Sequence, residues 1–379
     1  MNALAAAVQR FRGNPLRNEV GPIGIDFALE EIHLVQLEFR SNGQPQVRAR
    51  ASLPFENSRR EALSQPLQFR SIIKRALASA NFYGRKCVIA VPSDRFRTVS
   101  INYKSGAGKE QEAAAVLNVM KDRVDGDLNN YVLDYLPVSG RVKSDERLAL
   151  VAVSERAAIM SLLENARKSR LDVGALEIGP VAVSRLVSAY AASDGIDNVM
   201  VINSGRRASY LTLLCGSDLL FDQEVSFGEI NLIRQVAETL DMPEDMTRGL
   251  ILRTGVRSSK VADPIAAAVD EAGVVNALSE ILKPHFLKLV QEIKRVCQYA
   301  AAETRGGAVG KVYLLGSVAR WPGSDGLISS LTGVDVMNMP NPLMMFVPAG
   351  NEPATDGDNS APELSVATGL ALRGMNANG

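Results

Sequence analysis

The chain has 379 residues, long for a single core and ample for two or three packed subdomains, and 46% of them are hydrophobic, so a sizeable core is expected. Its 42 basic residues balance 42 acidic ones, which argues against a dedicated nucleic-acid binder, whose surface is normally basic. No stretch reaches the roughly 18 apolar residues of a membrane span; residues 199–214 come closest and are interrupted by Asn203, Arg206 and Arg207.

Cys87, Cys215 and Cys297 lie far apart in apolar segments without metal-type spacing. They read as buried reduced thiols, which fits a reducing compartment. The N-terminus lacks a signal peptide's apolar core. Residues 1–11 can place Leu4, Ala7, Val8 and Phe11 on one side of a short amphipathic helix, with Arg12 and Arg17 following. That suits a membrane surface or a partner, but a frayed terminus is the expected state, because helices this short are marginal alone.

Residues 1–20 form an extension. Strands are expected at 23–27, 32–39 and 46–53, the last two joined through Asn42-Gly43, a strong hairpin signal. A helix at 67–80 carries Phe69, Ile72, Ile73 and Leu77 at helical spacing. Strands follow at 86–91 and 96–103, then a helix at 110–123 with Ala115, Val116, Val119 and Met120 on one face. Two strands, 131–137 and 147–153, flank a polar turn. A helix over 154–169 takes Ser154 as a plausible N-cap. A strand at 173–178 leads into a helix at 180–192 with Pro180 in its first turn.

After Asp194-Gly195 the opening pattern returns, with strands at 198–204, 209–214 and 219–226 and a helix at 228–239. Two halves that each begin with a three-strand meander and a helix amount to an internal duplication. Helices are expected at 244–252, 264–275 and 277–303, then a strand at 311–315, a helix at 325–331 and a strand at 334–337. Residues 349–360 read as a flexible loop, and 362–372 as a last helix.

Three stretches carry the chemistry. The first hairpin reads GIDFALEEIHLVQL (24–37), with Asp26 ending a buried strand just before the turn. The opening hairpin of the second half reads VINSGRRASYL (201–211). Near the end comes LLGSVARWPGS (314–324). In this order and spacing they resemble the actin-like ATPase superfamily. More narrowly, they resemble the PilM family of type IV pilus assembly proteins, relatives of the division protein FtsA and of the cytoplasmic domain of the secretion protein GspL. The resemblance runs over residues 22–373, and the lack of a membrane-spanning continuation favours PilM over GspL.

The resemblance implies an α/β, actin-like (ribonuclease H-like) duplicated fold with two halves around a nucleotide cleft. Residues 21–195 form the first half, with a small inserted subdomain at about 86–153. Residues 196–348 form the second half, 349–360 the loop, and 361–379 a C-terminal helix and tail. It also implies a site for ATP or ADP with Mg. Asp26 would stand at the magnesium position, Asn203, Gly205 and Ser209 at the second phosphate motif, and Gly316 and Ser317 at the adenosine motif.

The motifs depart from the family pattern. Ala28, Leu29, Glu30 and Glu31 replace a hydroxyl-rich phosphate loop, and His33 replaces a lysine. Asn203 replaces an aspartate, Ser209 a threonine, and Ser317 a glycine. Phosphate loops point backbone N–H groups and small hydroxyls at an anion. Two carboxylates within about 6 Å of a triphosphate would each cost on the order of 2–3 kcal/mol at an effective dielectric near 20. Asn203 also removes a charge that would help organise a hydrated magnesium ion. The expectation is therefore a pseudo-ATPase. Glu30 and Glu31 could pair across the cleft with Arg206 and Arg207 and close it without nucleotide; solvated turn charges are the alternative.

Other features read as structural. His33 and His285 lie in no metal-ligand pattern, and residues 104–109 lack P-loop spacing. Trp321 suits core packing or an adenine stack. Met337, Met339, Met344 and Met345 with Phe346 suit a core or an adaptable contact surface.

PilM-like proteins bind the cytoplasmic N-terminal tail of a PilN-like inner-membrane protein. The resemblance thus implies a cytoplasmic adaptor, peripheral to the inner membrane through that partner and among other pilus assembly proteins. An extended or strand-adding tail is expected near residues 86–153. A nucleotide-driven ATPase or switch and an FtsA-like self-assembling membrane scaffold remain alternatives. A tail titration separates the first reading from these, and sedimentation with liposomes tests the last.

Overall fold

The computed structural model describes residues 20–39, 45–104, 108–138, 146–191, 195–216, 218–257, 269–303, 307–339, 341–346, 361–373 and 375. Strands β1 (Val20–Phe27), β2 (Glu31–Phe39) and β3 (Pro45–Pro54) form an antiparallel meander. Strands β4 (Lys86–Val91) and β8 (Asp172–Ile178) add in parallel beside β1, giving the order β3-β2-β1-β4-β8. The second sheet repeats this plan. It uses β9 (Asn198–Ser204), β10 (Ser209–Cys215), β11 (Asp218–Val225), β12 (Lys311–Gly316) and β13 (Asp335–Asn338), in the order β11-β10-β9-β12-β13. The central strands β1, β4, β9 and β12 are rich in Ile, Val and Leu because helices or the other sheet cover both of their faces.

A third, antiparallel sheet of order β5-β7-β6 comprises β5 (Phe96–Lys104), β6 (Tyr131–Pro137) and β7 (Glu146–Glu155). Helix α3 (Lys109–Met120) packs Val116 and Met120 against Ile101, Tyr103 and Val151 of this sheet. The inserted sheet therefore begins at Phe96. Strand β4, which the sequence reading placed at the start of the insert, lies inside the main sheet between β1 and β8.

In the first half, α1 (Arg59–Ser64), α2 (Pro66–Ala78) and α4 (Arg156–Lys168) bury Leu63, Phe69, Ile73 and Ala166 against Ile25, Phe27 and Ile89. On the opposite face lie α5 (Gly179–Ala191) and α10 (Ser365–Arg373), the last described helix. A Cβ on Gly24 of β1 would meet the carbonyl oxygen of Ala367 at 2.1 Å, so α10 rests directly on the strand backbone. The second half has its own core. Helices α6 (Glu229–Leu240), α7 (Glu244–Thr254), α8 (Val269–Glu303) and α9 (Ser324–Thr332) pack Leu232, Ile251, Phe286 and Ile328 against Leu211, Leu213 and Leu314. A shared core joins the halves: Val35, Leu37, Val183 and Leu186 meet Val201, Tyr313, Leu315 and Leu372.

Some local readings change. Ser154 is not an N-cap, because β7 runs through it and its Oγ donates to the Arg95 carbonyl at 2.5 Å. Glu155 precedes α4 and makes no side-chain cap. The break expected between residues 275 and 277 does not occur; α8 runs unbroken for 35 residues through Pro284. Helix α1, capped by Ser58, was not anticipated. Asn42-Gly43, the 1–11 helix, residues 105–107 of the 104–109 stretch and the 349–360 loop lie outside the described residues.

Candidate functional site

Two hairpin turns face each other across a cleft of about 530 Å3, one between β1 and β2 and the other between β9 and β10. Asp26, Glu30, Asn203, Arg206, Gly316 and Ser317 are among its lining residues. The cleft is walled by the strand ends of both main sheets, where a duplicated open sheet exposes its loops.

The β9–β10 turn closes by a Gly205 N–H bond to the Ala208 carbonyl, 3.0 Å. The start of helix α6 docks on it, with the Glu229 and Ile230 amides donating to the Gly205 and Arg206 carbonyls. The loop after β12 is laced to the same turn. Ser204 Oγ donates to the Leu315 carbonyl at 2.9 Å and accepts from the Val318 amide at 2.8 Å. Ser317 Oγ lies 3.2 and 3.3 Å from the Ser204 and Gly205 carbonyls. Gly316 sits at φ +82°, and a Cβ there would meet the Ser204 carbonyl at 2.0 Å. Glycine is required at this position on both counts. Ser209 Oγ donates to the Phe227 carbonyl. The hydroxyls of Ser209 and Ser317 are thus engaged by the protein's own backbone.

Charge fills the mouth of the cleft. Arg206 Nη1 forms an ion pair with Glu30 Oε2, bridging the two turns. Arg320, in the loop after β12, pairs with Glu363, just before α10. Glu31 lies between these pairs. Burial, then the nearby Glu363 carboxylate, raises its pKa against the lowering effect of Arg320 and Arg206. Arg207, the other arginine of the turn, is exposed and makes no side-chain pair among the described residues.

Deeper in the cleft, burial pushes the Asp26 carboxyl up to about 7, partly opposed by the Arg59 guanidinium. Arg59 also pairs with Asp94 at 2.9 Å and donates to the Phe27 carbonyl at 3.4 Å. Asp222 of β11 is likewise pushed up to about 7, by burial, although Thr212 donates to it at 2.6 Å. His33 is buried with Nδ1 2.9 Å from Ser52 Oγ, and burial drives its pKa down to about 4. Trp321 is fully buried, its Nε1 3.3 Å from Glu229 Oε1, so it packs in the core and offers no open face for a base.

These residues do not fit a magnesium–triphosphate group. Asp26 is desolvated beside a guanidinium, Asn203 is neutral, and Glu30 puts a carboxylate where a phosphate loop needs donors. Arg320, Glu363, Arg59 and Asp222 were missed by the sequence reading. Arg320 stands at an unconstrained position of its motif, and Glu363 reaches the cleft from a segment whose sequence carries no site signal.

The model of the type IV pilus assembly protein PilM family matches residues 273–375. A chain of the PilM–PilN type IV pilus biogenesis complex superposes with a TM-score of 0.72 at 20% identity, covering 95% of this chain and 99% of that one. The ethanolamine utilization protein EutJ from Carboxydothermus hydrogenoformans superposes with a TM-score of 0.50 at 15% identity, covering 98% and 96%. Identities this low speak for the fold. Two mixed sheets of one topology around a cleft and a small antiparallel sheet set into the first half give this chain the actin-like ATPase fold, and its residues 273–375 are similar to the PilM family.

Proposed function

We propose that the protein is a cytoplasmic adaptor of a type IV pilus inner-membrane assembly complex. It binds the cytoplasmic N-terminal tail of a PilN-like membrane protein and does not run on nucleotide hydrolysis. The likeness to the PilM–PilN complex chain over nearly the full length of both chains carries this reading. The charge-filled cleft supports its pseudo-ATPase part, because Glu30 and Arg206 already satisfy each other where an anion and a metal would sit. No described helix is long and apolar enough to cross a membrane; in this reading the membrane-embedded partner supplies the attachment.

The inserted sheet offers a place for an extended tail. Strand β6 is one of its two edges, paired on one side to β7, with Leu136 exposed. A strand added there would gain backbone hydrogen bonds, and alternate side chains would set specificity. Titration of the purified protein with a synthetic PilN-like tail tests the reading. Saturable binding that is unchanged by adding Mg-ATP is expected. Tail binding that appears only with Mg-ATP would replace the adaptor by a nucleotide switch, and no binding in either condition would remove the adaptor role.

A further inference from the structure

A second cavity, about 570 Å3, opens between α6 and α7 on the far side of the β9–β10 turn. Its lining includes Arg206, Arg207, Arg234 and Arg248, together with Ile230 and Ile233. Glu244 and Asp245 are the acids at its rim. Arg206, Arg207 and Arg248 also line the cleft, so these three side chains form the wall between the two cavities.

The arginines are only partly neutralised from within: Arg206 pairs with Glu30 and Arg234 with Glu244, and Arg207 and Arg248 are left. Glu244 and Arg248 stand four residues apart on α7, the spacing at which a helix pairs a glutamate with a following cation. The pair is not made, and Glu244 approaches Arg234 at 3.5 Å instead. The half-buried Arg248 and the exposed Arg207 have no side-chain partner among the described residues. Arg206 gives Nη1 to Glu30, while its Nε is buried without a hydrogen-bond partner. A half-buried guanidinium without a counter-charge is costly; Arg248 is one, and beside it stand the exposed Arg207 and Arg206 with its unpartnered Nε. A single carboxylate takes one guanidinium fork, whereas a phosphate offers oxygens in several directions. The volume suits a molecule of nucleotide size, and the isoleucines supply an apolar side.

We propose that this groove binds a phosphate-bearing small molecule through Arg207 and Arg248, without a metal ion. The site is separate from the cleft seat occupied by Glu30, and it does not depend on the tail-binding role.

The test is calorimetric titration of the full chain with inorganic pyrophosphate in EDTA at low salt, followed by ATP in the same buffer. Saturable binding is expected, weakening as salt rises. Arg248→Ala and Arg207→Ala should each weaken it by about tenfold or more, with Arg248→Lys recovering part. Thermal melts confirm that the variants are folded. The double variant Glu30→Gln, Glu31→Gln should bind pyrophosphate like the parent. Four results would overturn the assignment. They are no saturable binding at millimolar pyrophosphate, a requirement for Mg, tightening in the Glu30/Glu31 variant (which would put the anion in the cleft), and displacement of pyrophosphate by a lower concentration of a hexaglutamate peptide.

Discussion

Glu30 stands at a turn tip where a phosphate-binding hairpin would carry a hydroxyl, and its carboxylate meets Arg206 from the other half. Each side chain is about one-third exposed, 32% and 35%, so water screens the pair and its coupling should be modest, about 0.5–1 kcal/mol. Glu30→Lys and Arg206→Glu should each lower the melting temperature, and the double reversal should recover most of the loss. Additive losses in that cycle would show two independent surface charges.

Asp26 makes a prediction of opposite sign to a salt-bridged acid. Its folded pKa of about 7 lies above its ordinary value of 3.8. The folded state therefore holds a proton that the unfolded chain has released across that window, and stability falls as pH rises from about 4 through about 7. Asp222 acts in the same direction. His33, lowered from 6.5 to about 4, acts the other way, because protonating the unfolded chain costs stability as pH falls through that range. Asp26→Asn should therefore raise the melting temperature by several degrees at pH 8 and by little at pH 4. An equal gain at both values would mean that Asp26 titrates normally.

Among the elements, α10 is held by charge as well as by packing. Glu177, at the end of β8, receives Arg185 of α5 in a two-pronged contact at 2.6 and 2.8 Å and Arg373 of α10 at 2.9 Å. Its side chain is only 5% exposed, so neutralising it leaves two guanidiniums facing an uncharged group. Glu177→Gln should cost about 3 kcal/mol in urea unfolding and should hasten proteolysis at Arg373. Unchanged proteolysis would show that apolar packing alone retains the helix. Strands were the most legible elements, since period-two or continuous Val, Ile and Leu runs bounded by Gly, Asn and Asp leave few alternatives. Helix ends were less so. Ser154 has an N-cap's chemistry, yet ladder pairing with Phe96 and Val132 carries the strand past it. The polar Asn276 reads as a break, but the apolar positions Val275, Leu278 and Leu282 keep one face buried and α8 continuous.

At the level of the whole molecule, the repeated meander-and-helix pattern was readable because each half repeats its strand order in sequence. The facing of the two turns followed from the resemblance to the actin-like ATPases, and with it the prospect of Glu30 near Arg206. Two things could not follow. Glu31 answers to Arg320 and Glu363 more than to Arg207, because the loop after β12 and the start of α10 approach the same turn from distant parts of the chain. Nor does any local pattern place the final helix against β1.

That placement has a consequence for how the molecule is made. The second half, from β9 to the short helix at Pro342–Phe346, is continuous in sequence and can assemble its core as soon as it is complete. The first half, although synthesised earlier, keeps Gly24 and the apolar face of β1 uncovered until Ser365–Arg373 have left the ribosome. The part translated first is therefore finished last, and a nascent chain stalled before residue 365 would expose the β1 face to chaperones or to aggregation.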